Sequence, residues 1–362
     1  MIHRSYERAE YCGAFIRGIM NASIICAVKR GSREMDKTLM SAVHFDCSEP
    51  RDKIFGLLGL VPEPEQRLLQ RPDYTRPVEH VFTGATRAAI HACRRLWLLS
   101  TVTVIRPDAQ ATGMYDLPSW VPQFAAEWHK GPKGIGNFSH RGCDDMQPLQ
   151  IDERTAHNIL RVQGVHVGTV AYMNAPLEAE IFSGIVLLAG YFHQILLHIV
   201  ERNALPSSSD KSFSILYKAL AQWDDYHHLL ERDMYSAFLA FLYECQQNLP
   251  DWHSSRVPII PHEAKNQSSS AFFQDHLKIN AVKRTFFVTC DGQAGQATSR
   301  VQAGDQVCIL FGSELPFVLQ KVAGHFVLIG TARLTEVMDG QYIAQLEQNG
   351  GLPAATQWFE IH

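Results

Sequence analysis

Residues 304–334 read GDQVCILFGSELPFVLQKVAGHFVLIGTARL. Three apolar runs, 306–311, 317–322 and 326–334, are divided by turn glycines at Gly312 and Gly324, and Gly304-Asp305 stands at a tight turn before the first. Branched and aromatic side chains fit a pleated surface and glycine supplies the turns, so these runs read as strands. A fourth run, 285–290, ends at Gly292. Short strands at this spacing predict a small barrel or curled sheet.

Towards the N-terminus the pattern changes to helices, expected over 181–202, 212–230 and 233–248, with Pro206 and three serines between the first two. The first of these, IFSGIVLLAGYFHQILLHIV over 181–200, has the length of a bilayer crossing. Tyr191, His193, Gln194 and His198 interrupt its second half and Glu180 and Glu201 bracket it, so a buried core helix is expected, not a membrane span. Residues 250–270 are polar and contain prolines, which predicts a mobile loop. Leu160, Val162, Val165, Val167 and Val170 surround Gly164, which predicts a short strand pair near 159–171. Further upstream Pro77 opens a helix expected to end near Ser100, whose inner stripe carries Val78, Val81, Phe82, Ala85, Ala89, Ala92 and Leu96. The predicted fold class is therefore α+β: a mainly helical body over 1–280 and a β-rich lobe over 281–362.

The chain has 362 residues, 46% apolar and 19% charged, with a formal net charge of −4. That is a globular composition, and it lacks the basic excess that phosphate contacts require, so no nucleic-acid partner is expected. The eight cysteines are scattered with no C-x-x-C pair, and the charged first residues do not form a secretory signal. A reducing, cytoplasmic setting is expected.

Four blocks carry a resemblance. Residues 47–60 read CSEPRDKIFGLLGL; Asp73-Tyr74 follows; residues 117–122 read LPSWVP; and the tail holds Gly304-Asp305-Gln306-Val307-Cys308, Pro316-Phe317-Val318-Leu319 and Met338-Asp339-Gly340. In this order the set is similar to the fungal heterokaryon-incompatibility family. The resemblance is to the family's C-terminal region, without its N-terminal Y-x-A-L-S-Y-x-W-G segment and the NAD-handling, TIR-like domain that accompanies it. The family's death-inducing activity is therefore not expected to carry over. The tail also departs from the family: Gln320 stands where relatives tend to have arginine, Gly330-Thr331-Ala332-Arg333 where they have G-E-A-Y, and Gln341 where they have an acidic residue.

The candidate chemistry is sparse. His193 and His198 are the candidate acid/base pair because an imidazole titrates near neutrality, with Asp251 and His253 as the alternative. The rival reading of the helix histidines is a core role, bonded to backbone carbonyls. Trp120, Phe124, Trp128, His129 and Arg333 are candidate substrate-binding residues, the first four leading into a Gly-rich loop. Arg51 and Asp52 are adjacent on a helix and need not form one site, so Asp52 is expected to cap the helix and Arg51 to pair with a distant carboxylate. No histidine spacing suits a metal, and no glycine loop suits a phosphate, so neither metal nor cofactor is expected. The leading functional reading is a cofactor-independent cyclase or isomerase of specialised metabolism acting on an apolar small molecule; the alternative is a non-enzymatic incompatibility or sensor protein that recognises a protein partner. For the first, an apolar pocket is expected beside helix 181–202, walled by residues 120–129 and closed by loop 250–270. The purified chain is expected to release no nicotinamide from NAD above background, and release abolished by a point mutation in the chain would overturn that.

Overall fold

A computed structural model of the chain describes residues 34–42, 47–69, 71–102, 115–124, 148–205, 210–220, 231–266, 268–298, 300–334 and 336–362. Its contacts divide into two units, the first built from residues up to 94 with 111–117 and 121–128, the second from the rest.

The first unit contains α1 (Met35–Ala42), α2 (Asp52–Phe55), α3 (Glu63–Gln66) and α4 (Val78–Cys93). α1 and α2 pack on α4, whose Val81, Phe82, Ala85 and Ala89 are buried as the stripe predicts. Pro77 precedes the first turn of α4 and Arg94 ends it in a left-handed conformation at φ 52°. The helix thus stops short of residue 96, and a separate 3₁₀ turn, Trp97–Thr101, follows. The 47–60 block and Asp73-Tyr74 prove to be one clamp. Arg51 donates to the Tyr74 carbonyl, the Tyr74 hydroxyl donates to Asp52 Oδ1 at 2.6 Å, and the Tyr74 ring meets Phe55 edge-on at 5.2 Å. Asp52 therefore holds a loop and makes no cap bond, and the carboxylate beside Arg51 is the nearby Glu49, 3.5 Å away.

In the second unit, α5 (Ile185–Arg202), α6 (Lys211–Leu220), α7 (Glu231–Asn248) and α8 (Ser270–Asn280) share one apolar core. α5 is long and apolar enough to cross a membrane by length and composition, and its Leu188, Phe192, Ile195, Leu196 and Ile199 lie in that core. Residues 250–266 are not the loose loop that their composition suggests. Trp252, Val257, Ile260 and Ala264 are buried in the same core. The buried Gln246 amide accepts the Ile260 N–H at 2.7 Å and donates to its carbonyl at 3.3 Å, and Trp252 Nε1 donates to the Pro258 carbonyl. A few apolar anchors order a segment whose average polarity hides them.

Seven strands follow: β1 (Leu160–Met173), β2 (Arg284–Thr289), β3 (Ala294–Thr298), β4 (Gln306–Leu310), β5 (Phe317–Val322), β6 (His325–Leu334) and β7 (Thr356–Ile361). Their order is β2-β3-β6-β5-β4-β1-β7, and β2–β1 and β6–β7 pairings close the ring. The two short strands expected around Gly164 are a single strand of 14 residues. It borders β7 over residues 160–165, β4 over 164–169 and β2 over 170–173. Gly164 is not a turn. A Cβ there would lie 2.2 Å from the Ile309 carbonyl oxygen, so the glycine lets two backbones approach. Register shifts at 166/168 and 170/172 bend β1 around the barrel.

β2 is buried on both faces, which is why it reads as an unbroken apolar run. Phe287 joins Val165, Val307, Ile309, Val318 and Ile329 inside the barrel, while Phe286 and Val288 join the helical core. Between β6 and β7 lie two further helices, α9 (Gln341–Gln348) and α10 (Leu352–Ala355). Ile343 of α9 is fully buried in the barrel cluster.

The ring closes weakly at β6–β7, where one parallel pair, Phe326↔Ile361, is supported by the His362 N–H bonded to the Phe326 carbonyl at 2.9 Å. Ser119 completes the seam. Its N–H donates to the His362 carbonyl at 2.9 Å, its hydroxyl donates to the same oxygen, and its Oγ accepts the Leu328 N–H at 2.9 Å. The adjacent Trp120 is fully buried and its Nε1 donates to the Asn158 carbonyl at 3.2 Å. The LPSWVP block is thus a staple for the barrel. Trp120→Ala is expected to cost about 3–5 kcal/mol through the cavity it leaves. Ser119→Ala is expected to cost about 1–3 kcal/mol by orphaning the Leu328 N–H. Denaturant unfolding measures both; an unchanged midpoint for Ser119→Ala would show the seam closes without it.

Candidate functional site

The two helix histidines do not share a site. His193 is buried, with Nε2 3.0 Å from Ser255 Oγ and its ring 5.2 Å from that of Trp252. Ser255 Oγ already donates to the Trp252 carbonyl at 2.8 Å and accepts the Val257 N–H at 3.2 Å. Nε2 is therefore the donor to Ser255, which fixes the tautomer and ties the ring to the 250–266 segment. His198, five residues on, stacks on Tyr172 of β1 with centroids 3.6 Å apart and has Nδ1 3.7 Å from Glu201. Burial holds both imidazoles below their ordinary value of 6.5; the Asp251 charge opposes this at His193, and Glu201 opposes it at His198.

Asp251 and His253 are both exposed, and Asp251 lies in a 3₁₀ turn, Pro250–Trp252, with His253 directly after it. The shared face expected of residues two apart needs an extended backbone, which this turn does not provide. Trp120 and Phe124 are fully buried, Phe124 packing edge-on against Phe82 at 5.2 Å. Arg333 is a half-buried residue of β6, opposite Gln296 of β3. Trp128 and His129 lie outside the described residues, as does the second half of the 120–129 wall. Among the described residues no cluster of His, Cys, Asp or Glu is placed to hold a metal.

A groove lies elsewhere, at one end of the barrel, with a volume of about 440 Å³. Its apolar lining is Pro148, Phe311, Leu352, Pro353 and Trp358, and Gln150, Gln163, Thr356 and Gln357 supply polar groups. Phe311 belongs to the barrel core, so the groove is floored by the end of that core. Trp358 is 39% exposed, and the Arg161 guanidinium lies 4.8 Å from its ring centroid. Arg161 is bonded in turn to Asp152 at 2.7 Å. The groove can hold an uncharged ligand by stacking and amide hydrogen bonds, and among the described residues its lining offers no ionisable group for proton transfer. The signal for it in the sequence is slight: residues 356–361, TQWFEI, with an exposed tryptophan beside a buried phenylalanine.

A family model described as the Het-6 beta-barrel domain matches residues 200–350. The barrel extends beyond that match on both sides, since β1 precedes it and β7 follows it. The chain is also 24% identical over 335 residues to "Heterokaryon incompatibility protein 6, OR allele" of Neurospora crassa, covering 80% of this chain and 48% of the relative. It thus spans about half the length of the curated relative it matches. No solved structure matches. Both matches support the family resemblance carried by the four sequence blocks.

The depressed histidines set a direction for pH dependence. Their folded pKa values lie below the unfolded ones, so the unfolded chain binds more protons as the pH falls through 6.5. Their contribution to stability is complete above that value and is lost as the pH drops towards the folded values. The denaturation midpoint is expected to fall as the pH drops below 6.5, and His193→Gln to flatten that slope. A slope identical to the parent's would assign the titration to other groups.

Proposed function

We propose that this fungal heterokaryon-incompatibility family protein is a non-enzymatic recognition module, acting in the cytoplasm by binding a protein partner. The observation that carries the reading is the similarity to a protein named for incompatibility, which runs through 80% of this chain. The site geometry is compatible with it. The blocks that carry the resemblance do structural work, as the Arg51–Tyr74–Asp52 clamp and the Ser119 staple illustrate. They build a platform, and discrimination between partner variants falls to its surface. Specificity is a difference of affinities, so one altered contact worth about 1.4 kcal/mol changes the preference tenfold.

The cyclase or isomerase reading asks for acid/base groups on one apolar cavity. His193 and His198 are turned to different neighbours, so among the described residues the helix histidines do not favour it.

Deleting the gene in its host is expected to restore mixed growth with at least one otherwise incompatible strain and to leave the small-molecule profile unchanged. Unaltered fusion behaviour against every tester strain, or loss of a specific metabolite with fusion unaffected, would overturn the recognition reading, the second outcome in favour of an enzyme.

A further inference from the structure

The groove at the barrel end has an order that strand register makes explicit. Residues 150–152 run antiparallel to β1, with Ile151 opposite Val162 and the Gln163 N–H bonded to the Gln150 carbonyl. On the other side of β1, Gln163 faces Trp358 of β7. Gln150, Gln163 and Trp358 therefore form one rung across the bridged 150–152 segment, β1 and β7, and all three line the groove. One rung away on the same face, Asp152 bonds the Arg161 guanidinium, which braces the Trp358 ring. Asp152 and Arg161 of that rung are paired with each other and Glu360 with His362, and among the described residues the groove lining itself is uncharged.

We infer that this groove is a docking trough for an uncharged, proline-containing segment of a protein partner, bound in the extended polyproline II conformation across the strands. The inference rests on the recognition reading above and names the chemistry of what is recognised. Three observations lead to it. First, the spacing fits: two strand-to-strand steps from Gln150 to Trp358 span about 9.5 Å, and one three-residue turn of polyproline II advances about 9.3 Å. A peptide crossing the strands thus presents equivalent residues to the two ends of the rung. Second, a polyproline II chain makes no internal hydrogen bonds, so its carbonyls are free to accept from side-chain amides. Among the described residues the Gln150 and Gln163 amides are engaged by no other group. Third, Trp358 offers an exposed flat ring already fixed by Arg161, and Pro148 adds a second rigid apolar surface, so little side-chain freedom is lost on stacking a proline. Among the described lining residues an acidic or basic peptide finds no counter-charge.

The test uses the full chain and a fluorescein-labelled acetyl-(Pro-Gln-Pro)₃ peptide, followed by anisotropy. Saturable binding is expected, weakened about tenfold or more by Trp358→Ala and severalfold by the near-isosteric Gln163→Met. Both variants are expected to melt at the parent's temperature, because both side chains sit at the groove surface. A peptide with glycine in place of proline is expected to bind at least tenfold more weakly. Failure to saturate at millimolar peptide overturns the inference, as does binding indifferent to both substitutions, equal binding of the glycine peptide, or displacement by a neutral oligosaccharide. Absent peptide binding together with restored mixed growth on deletion removes the trough and leaves the recognition reading. Groove-dependent binding with unchanged fusion behaviour leaves the trough and removes the incompatibility role.

Discussion

The barrel depends on one strand having three neighbours. β1 is long enough to border β7 at its start, β4 through its middle and β2 at its end. A straight strand can pair with only two others, one along each edge. β1 gains a third by changing partners part-way, which needs the two register shifts that bend it and the close approach to β4 that Gly164 permits. The helical core then rests on the outer face of β2, so the helices inherit their position from the same strand.

Much of this fold was legible locally. The alternation of turns and apolar runs located β2, β4, β5 and β6, and the α4 and α5 stripes located those helices and their buried sides. The misreadings share a cause. At Gly164 and over 250–266, local composition predicts one structure and tertiary contact decides another. A glycine in a strand marks a break or a close approach, and the sequence does not distinguish them. A polar segment with Trp252, Val257 and Ile260 at irregular spacing has no periodicity to reveal that those three side chains anchor it. β7 and the helices before it fell outside any recognised pattern, because residues 341–361 are glutamine-rich and short of apolar runs.

The candidate site was less legible than the fold. Histidine attracts functional readings, but each helix histidine here has a local partner, Ser255 for one and Tyr172 for the other. The groove was invisible for the opposite reason. Gln150, Gln163 and Trp358 come from a bridged segment, β1 and the distant β7, and none is a residue type that draws a chemical hypothesis. Only the pairing register sets them side by side. The motif blocks illustrate the same division: Arg51 and Asp52 look like chemistry when read singly, and each, like Ser119, proves to tie separate segments together.

The late position of β7 has a consequence for biosynthesis. β1 emerges from the ribosome well before its first partner in the chain, and the edge that β7 will cover stays bare until residues 356–361 have been made. At ordinary translation rates that is an interval of roughly 10–40 s. During it a long valine-rich strand, with unpaired amides along its margin, is available to any other nascent copy. Arg161 and Gln163 sit in that bare half and make it less sticky. The barrel is thus a fold whose hazards are greatest before it is complete, and the charge on β1 that braces a tryptophan in the finished protein serves earlier as a guard against self-association.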